Sequence, residues 1–356
     1  MGNRVSRIGL VGMGRVGRNL FRLLYDSDDL KLAAVSDRSD PAALAYLLRF
    51  DTLMGRFPAP VSAGDPGGGT PSLDVAGLSV GVHPAKPAGE IPWGELGVDT
   101  VIETADAPRS RADLDRHLAA GARRVIVCSS AVDRPDVTVV AGVNDDDLRA
   151  EHRIVSHASP SVHAVAPVTK VLHEAFGIRR AFLSTVHAYT ERQRLADVPA
   201  ADARDGRAAA ASIIPHVTDD AGVLAQLLPF LRDKVSGMGI SVPVANGSAA
   251  DLVCWHDRPV TVDEVNRAVR DAASRSAGVL AYEDAPIASS DILLSPSSGT
   301  LDSLATMVLV GNVSKTLTWF DNSWGYTHRL LDLLRRLQAL DAAGTPAADE
   351  AKEAAR

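Results

Sequence analysis

The stretch Gly12-Met13-Gly14-Arg15-Val16-Gly17 constrains the fold of this 356-residue chain more than any other. Before it runs Arg4-Val5-Ser6-Arg7-Ile8-Gly9-Leu10-Val11, a short segment that reads as a buried strand. After it, Val16, Leu20, Leu23 and Leu24 recur with a helical period. Leu32 to Asp37 reads as a second buried strand. Strand, glycine turn, helix, strand is a βαβ unit, and such a unit requires a parallel sheet. The first glycine makes the tight turn, the second lets backbone approach a pyrophosphate, and the third lets helix and strand pack closely. The helix N-terminus then offers free N–H groups and a positive dipole end to the anion. Asp37 lies twenty residues after Gly17, at the second strand's end. A carboxylate there takes the ribose hydroxyls of a dinucleotide. It also repels a 2′-phosphate, which favours NAD over NADP, although Arg38 beside it blurs the preference. The competing reading is a glycine turn kept for packing alone.

Strand and helix continue to alternate. Thr100 to Glu103, Arg124 to Cys128 and Val137 to Val143 read as strands, and Asp113 to Ala120 as a helix. Gly64 to Gly69 reads as a hairpin excursion rather than a phosphate cradle, because no strand runs directly into it and no helix follows. After Ser159 the texture changes. Ser161 to Phe176 is an amphipathic helix, Ala181 to Tyr189 a strand, and Glu191 to Ser212 a long irregular segment. Helix Val262 to Ser274 follows, then antiparallel strands at Thr306 to Val310 and Thr316 to Phe320, and a last helix from Trp324 through Leu340. The expected class is α/β: a Rossmann-type parallel sheet, followed by an α+β unit with a mainly antiparallel sheet.

The net charge is -7, with both signs dispersed, so nucleic acid and anionic membrane are poor partners. Hydrophobic residues make up 46% of the chain, enough for a sizeable core, yet no apolar run reaches the roughly 18 residues of a membrane span. The two cysteines, Cys128 and Cys254, form neither a metal-ligand spacing nor a disulfide framework. The opening residues carry no apolar signal-peptide core. A cytoplasmic protein acting on a small-molecule substrate is expected.

The chain resembles the glyceraldehyde-3-phosphate dehydrogenase family. The resemblance rests on Gly14-Arg15-Val16-Gly17-Arg18, Tyr46-Leu47-Leu48-Arg49-Phe50-Asp51-Thr52 with Gly55-Arg56-Phe57, and Pro92 to Asp99. It is strongest in Thr185-Val186-His187-Ala188-Tyr189-Thr190, Gln193-Arg194, Arg207 to Ala210 leading to Ile213-Ile214-Pro215, and Asp321-Asn322-Ser323-Trp324-Gly325-Tyr326. These segments stay collinear from residue 4 to about residue 335. The resemblance implies an NAD-binding domain over 1–158 and 322–356, a catalytic domain over 159–321, and a homotetramer. It implies that Gly12, Gly14 and Gly17 shape the pyrophosphate turn, and that Arg15 and Val16 give it backbone groups. Asp37 would hold the adenosine ribose and Asn322 the nicotinamide carboxamide. Cys128 stands where the family has Ser or Thr near the cofactor, and Asp106 where it has glycine.

The same resemblance exposes departures. The family's thiolate attacks an aldehyde, a histidine activates it, hydride passes to NAD, and phosphate cleaves the resulting thioester. The family's Ala-Ser-Cys-Thr-Thr-Asn-Cys-Leu-Ala-Pro meets Ala158-Ser159-Pro160-Ser161-Val162-His163-Ala164-Val165-Ala166-Pro167, so the nucleophile's place holds Pro160. Proline suits the first turn of a helix but has no thiol. Arginines expected at two anion sites are Ser241 and Asp205, and a Thr-Gly pair becomes Thr218-Asp219. Drift erases charge, but it need not reverse it. The reversal therefore favours a neutral or cationic ligand over a phosphorylated one. The expected substrate pocket comprises His157, Ser159, Pro160, Ser161, His163, Thr190, Asp205, Thr218, Asp219 and Ser241, with His187 in the catalytic histidine's place. His157 and His163 replace asparagines, so three histidines would converge near the nicotinamide. They would act as acid–base groups or metal ligands, or the two new ones would simply hydrogen-bond the backbone. No carboxylate or cysteine spacing supports a metal. Three activities remain open: a dehydrogenase working without a thioester, a catalytically silent regulatory or assembly homologue, and a non-redox enzyme reusing the pocket.

Overall fold

The computed structural model describes residues 5–64, 69–84, 90–105, 110–129, 133–190, 193–309 and 311–344. Asp106 and the tip of the Gly64 to Gly69 excursion lie outside these residues.

The predicted unit is present as β1 (Ser6–Val11), α1 (Arg15–Tyr25) and β2 (Leu30–Asp37), with β1 and β2 parallel. Helix α2 (Pro41–Arg49) starts where the Asp40 carboxylate accepts the Ala42 N–H and proline fills the first turn. Strands β3 (Phe50–Asp51) and β4 (Gly55–Arg56) make a small hairpin. Then come β5 (Val61–Gly64), β6 (Ser72–Val75), β7 (Leu78–Pro84) and β8 (Thr100–Glu103). Helix α3 (Arg111–Ala119) opens with a Ser110/Asp113 capping box. Strands β9 (Arg124–Val127), β10 (Val137–Thr138) and β11 (Ile154–Ser156) complete the first sheet. Its order is β10-β11-β9-β8-β1-β2-β7-β6-β5. Strands from β10 to β7 are parallel, and β6 and β5 fold back antiparallel. Strands β8 and β9 are buried along their whole length, including Glu103 at the end of one and Arg124 at the start of the other.

One expected strand is much shorter. Val137 to Val143 yields only the two residues of β10. The Asn144 side chain takes the Val140 N–H at 2.9 Å and donates to the Thr138 carbonyl at 2.8 Å. Those groups are then lost to any longer ladder, and Gly142 turns the chain at φ 76°.

Helix α4 (Pro160–Phe176) leads into the second sheet. It is followed by β12 (Arg180–Ala188), β13 (Ile214–His216), α5 (Asp220–Leu227), β14 (Val235–Val242) and β15 (Ser248–Trp255). Helix α6 (Val262–Ala273), β16 (Leu280–Glu283), β17 (Gly299–Leu309), β18 (Val313–Phe320) and α7 (Trp324–Gly344) end the chain. The order is β13-β14-β12-β15-β18-β17-β16, with four antiparallel and two parallel pairings. Strand β17 begins well before Thr306, because its first half pairs with β16 and is buried, which hides the alternation of a one-sided strand. Between Gln193 and Ser212 only one bridge, Arg194 to Ala208, and one short helical turn occur.

Val162, Val165 and Leu172 of α4 pack on Leu183, Leu252, Leu301 and Phe320. Helix α7 returns to the first sheet, where Leu330, Leu331, Leu333, Leu334 and Leu337 share a core with Ile8, Leu20 and Leu24. Each such leucine contributes roughly 1.5–3 kcal/mol relative to exposure. Arg124 of β9 reaches Asp341 of α7 with two nitrogens, each 3.0 Å from a carboxylate oxygen.

Candidate active site

The carboxyl ends of β1, β2 and β8 meet where the order of connection reverses, the usual ligand crevice of such sheets. Gly12 has φ 92°, a conformation that favours glycine. A Cβ on Gly17 would stand 2.1 Å from the Gly12 carbonyl oxygen, whereas one on Gly14 would meet nothing within 4 Å. The third glycine is thus needed for packing, and the second faces open space. Gly14 caps α1 without a side-chain bond, which leaves first-turn N–H groups near Arg15 and Val16 for an anion. Asp37 accepts the Met13 N–H at 2.7 Å and the Ser39 N–H at 2.8 Å, one on each oxygen. Each oxygen keeps a lone pair for a ribose hydroxyl. The Asn322 side-chain oxygen is buried and without a partner, as a residue waiting for an amide N–H would be. These features fit NAD.

A cleft of about 390 Å³ opens beside them. It is lined by Ser129, Ser159, Pro160, Ser161, His187, Thr190, His216, Thr218, Asp219, Asp220, Ser241 and Asn322, among others. Ser129 follows β9, so the cleft touches the nucleotide sheet. The α4 N-terminus supplies its floor. Ala158, buried at φ 49°, turns the chain sharply into Ser159, whose hydroxyl caps Val162 N–H at 3.2 Å. His187 shares a strand face with Leu183 and Thr185, which pack inward, but sits near the end of β12. Its ring lies 5.7 Å from that of His216 and 6.3 Å from that of Phe320. Burial lowers its pKa; Asp220 opposes that fall and His216 adds to it. Ser241 pairs with His187 in the parallel β12–β14 ladder. His216 pairs with Gly239, whose missing side chain makes room for the imidazole: a Cβ there would lie 2.2 Å from the ring. Among the described residues, no lysine or arginine lines the cleft.

His157 and His163 are not brought to this cleft. Each is 1% exposed. Their ring centroids lie 4.4 Å apart with the planes tilted by 52°, and the His157 ring lies 4.5 Å from that of Tyr326. The Nε2 of His157 faces the Tyr326 carbonyl, and that of His163 faces the His157 carbonyl. Burial lowers His157 to about 4 and holds His163 well below the usual range. Of the alternatives, the two histidines thus hydrogen-bond the backbone as a buried pair beside Tyr326, and His216 is the neighbour of His187. His157 instead borders a larger cleft of about 660 Å³ farther along α4, which gathers Lys170, Arg275 and Arg329 but no other candidate site residue. Asp205 sits in the irregular segment and does not line the cleft.

Cys128 packs against the first core and Cys254 lies inside the second; burial pushes both thiols up to about 12. Neither lines the cleft. Among the described residues, no cluster of three His, Cys, Asp or Glu could hold a metal, and no helix is long and apolar enough to cross a membrane. His216 and Asp220 are among the cleft residues that the sequence does not point to. The signal available was the acidic pair Asp219-Asp220 opening a helix directly after Thr218.

A parallel dinucleotide-binding sheet, joined to a second sheet that lays a histidine at its carboxyl edge, defines an NAD-dependent two-domain oxidoreductase fold. Residues 6–110 match the family model for the NAD-binding domain of glyceraldehyde 3-phosphate dehydrogenase, and residues 159–322 match the model for its C-terminal domain. Similar proteins include glyceraldehyde-3-phosphate dehydrogenase 2 of Streptomyces avermitilis, 45% identical over 92% of this chain and 97% of its own length. The glyceraldehyde-3-phosphate dehydrogenase of Geobacillus stearothermophilus is 42% identical over 92% of this chain and 96% of its own. The chain belongs to the glyceraldehyde-3-phosphate dehydrogenase family, and its cofactor is NAD.

Proposed function

We propose that this family member moves hydride between NAD and a non-phosphorylated alcohol, carbonyl or hydrate without forming a cysteine thioester. The observation that carries the reading is Pro160, which opens α4 in the cleft with His187; the resemblance puts the family's nucleophile at this position. It offers neither a thiol nor an N–H. NAD supplies the hydride acceptor. His187, with its pKa lowered by burial, is a neutral base at neutral pH. It takes the hydroxyl proton as the C–H hydride departs. Asn322 orients the carboxamide, Asp37 the ribose, and Arg15 and Val16 the pyrophosphate. Ser159, Ser161, Thr190, Thr218, Asp219 and Ser241 contact the substrate. The lack of a lining cation among the described residues supports a neutral or cationic substrate.

The α7 leucines in the first core support a nucleotide domain of 1–158 and 322–356, with 159–321 between. Exposed Phe182, Leu304, Met307 and Leu309 on the second sheet support assembly, as a homotetramer. Two free cysteines suit a cytoplasmic setting. The second reading is a silent NAD-sensing or assembly subunit, favoured by the absence of either cysteine from the cleft.

Titration with NAD and NADH should give binding. An assay with glyceraldehyde 3-phosphate, phosphate and NAD should give no NADH, and phosphate-dependent NADH production would sink the reading. Pro160→Cys should remain nearly inactive, since Ser241 still stands in an arginine's place and no cation lines the cleft among the described residues; high activity there would defeat the charge argument. Binding without turnover on any unphosphorylated alcohol or aldehyde would favour the silent subunit.

A further inference from the structure

Asp220 is the first residue of α5 and only 4% exposed, yet no cation pairs with it among the described residues. Its charge is held differently. One carboxylate oxygen accepts the Ser159 hydroxyl at 2.8 Å, and the other accepts the Ser161 hydroxyl at 2.6 Å. The two serine oxygens are 3.0 Å apart. The Asp220 N–H donates to Thr218 Oγ1 at 3.3 Å. Ser159 caps α4, a 17-residue helix, so the N-terminal ends of α4 and α5 both meet at this carboxylate. Hydroxyl donors and helix N-termini around a buried negative charge are the means by which proteins hold free oxyanions.

We propose that Asp220 is a built-in anion, whose carboxylate fills an oxyanion site formed by Ser159, Ser161 and the ends of α4 and α5. The site is thereby closed to inorganic phosphate. Because both serine hydroxyls donate to Asp220, neither has a proton left to offer a substrate anion. With Asp219 beside them, they select substrates that bring donors, such as hydroxyls or an ammonium. The inference deepens the preceding reading and rests on it only in taking this cleft as the substrate site.

The test is a calorimetric titration of the full-length protein with inorganic phosphate. Wild-type protein should show no saturable binding. Asp220→Ala should bind phosphate about tenfold or more tightly than wild type, the gain expected from two hydroxyl bonds to an anion. Adding Ser159→Ala and Ser161→Ala should abolish that gain. Asp220→Asn keeps the site filled by a group of the same shape and should gain nothing. If Asp220→Ala does not fold, Asp220→Ser keeps a small polar side chain at the start of α5 and should show the same gain. A folded Asp220→Ala or Asp220→Ser with no gain overturns the proposal, as does wild-type protein that binds phosphate as tightly as the variant. These outcomes are separate from turnover: NADH production from glyceraldehyde 3-phosphate would defeat the proposed function, whereas a variant that gains no phosphate defeats the built-in anion alone.

Discussion

Replacing Gly17 and Gly14 by alanine, one at a time, separates the two tasks of the cofactor turn. At Gly17 the new Cβ would sit 2.1 Å from the Gly12 carbonyl oxygen and must retreat by about 1.3 Å to reach ordinary contact. The obstacle cannot yield easily. The Gly12 carbonyl accepts the Thr104 hydroxyl at 2.8 Å, and the Gly12 N–H donates to the Ser36 carbonyl at 2.9 Å. Forced overpacking of this kind costs about 1–3 kcal/mol. At roughly 2–4 °C per kcal/mol, Gly17→Ala should lower Tm by about 5 °C, whether or not cofactor is present. Gly14→Ala meets nothing within 4 Å and has φ -66°, so its Tm should stay within about 2 °C of wild type. Its methyl group, however, stands where backbone must approach the pyrophosphate. NAD affinity should fall about tenfold or more, near 1.4 kcal/mol. Thermal scans and calorimetric NAD titrations of both variants read the two effects. A Gly17→Ala protein with wild-type Tm, or a Gly14→Ala protein that binds NAD as wild type does, would refute the assignment.

Acid should weaken the fold through the buried pair. His157 titrates at about 4 when folded and near 6.5 when unfolded, so stability is complete above pH 6.5 and falls as pH drops from there toward 4, by roughly 3 kcal/mol for His157. Urea midpoints at pH 7 and pH 5 should differ less in a His157→Asn, His163→Asn double variant; an unchanged difference would remove the histidines as the cause. Asp341→Ala should cost about 3 kcal/mol, because Arg124, with a side chain 3% exposed, loses its carboxylate and keeps only the Ala150 and His152 carbonyls. Denaturant unfolding checks this, and a loss under about 1 kcal/mol would show the pair to be dispensable.

The nucleotide half was legible because its chemistry is local. Gly12, Gly14 and Gly17 act through backbone a few residues away, and the strand after them carries Asp37 to the same edge. The catalytic half was legible only along the chain. Ser159 and Ser161 point to Asp220, while His157 and His163 point away, and nothing in the spacing announces the left-handed turn at Ala158 between His157 and Ser159. Asp220 and His216 reach the cleft through the docking of α5 and the pairing of β13 with β14, both contacts between segments far apart in sequence. Strand β10 is shorter than its apolar run suggests because a side chain, Asn144, competes for backbone groups, which strand periodicity does not register.

The return of α7 to the first sheet fixes an order of events during synthesis. A ribosome delivers Ile8 and Leu20 early and Leu330 to Leu337 almost last, yet all belong to one core. The nucleotide-binding half therefore waits, with part of its apolar surface uncovered, until every strand of the second sheet has emerged. A chain that stops near Phe320 has the residues of both sheets but lacks the helix that closes the first, and it should be a substrate for chaperones rather than for NAD.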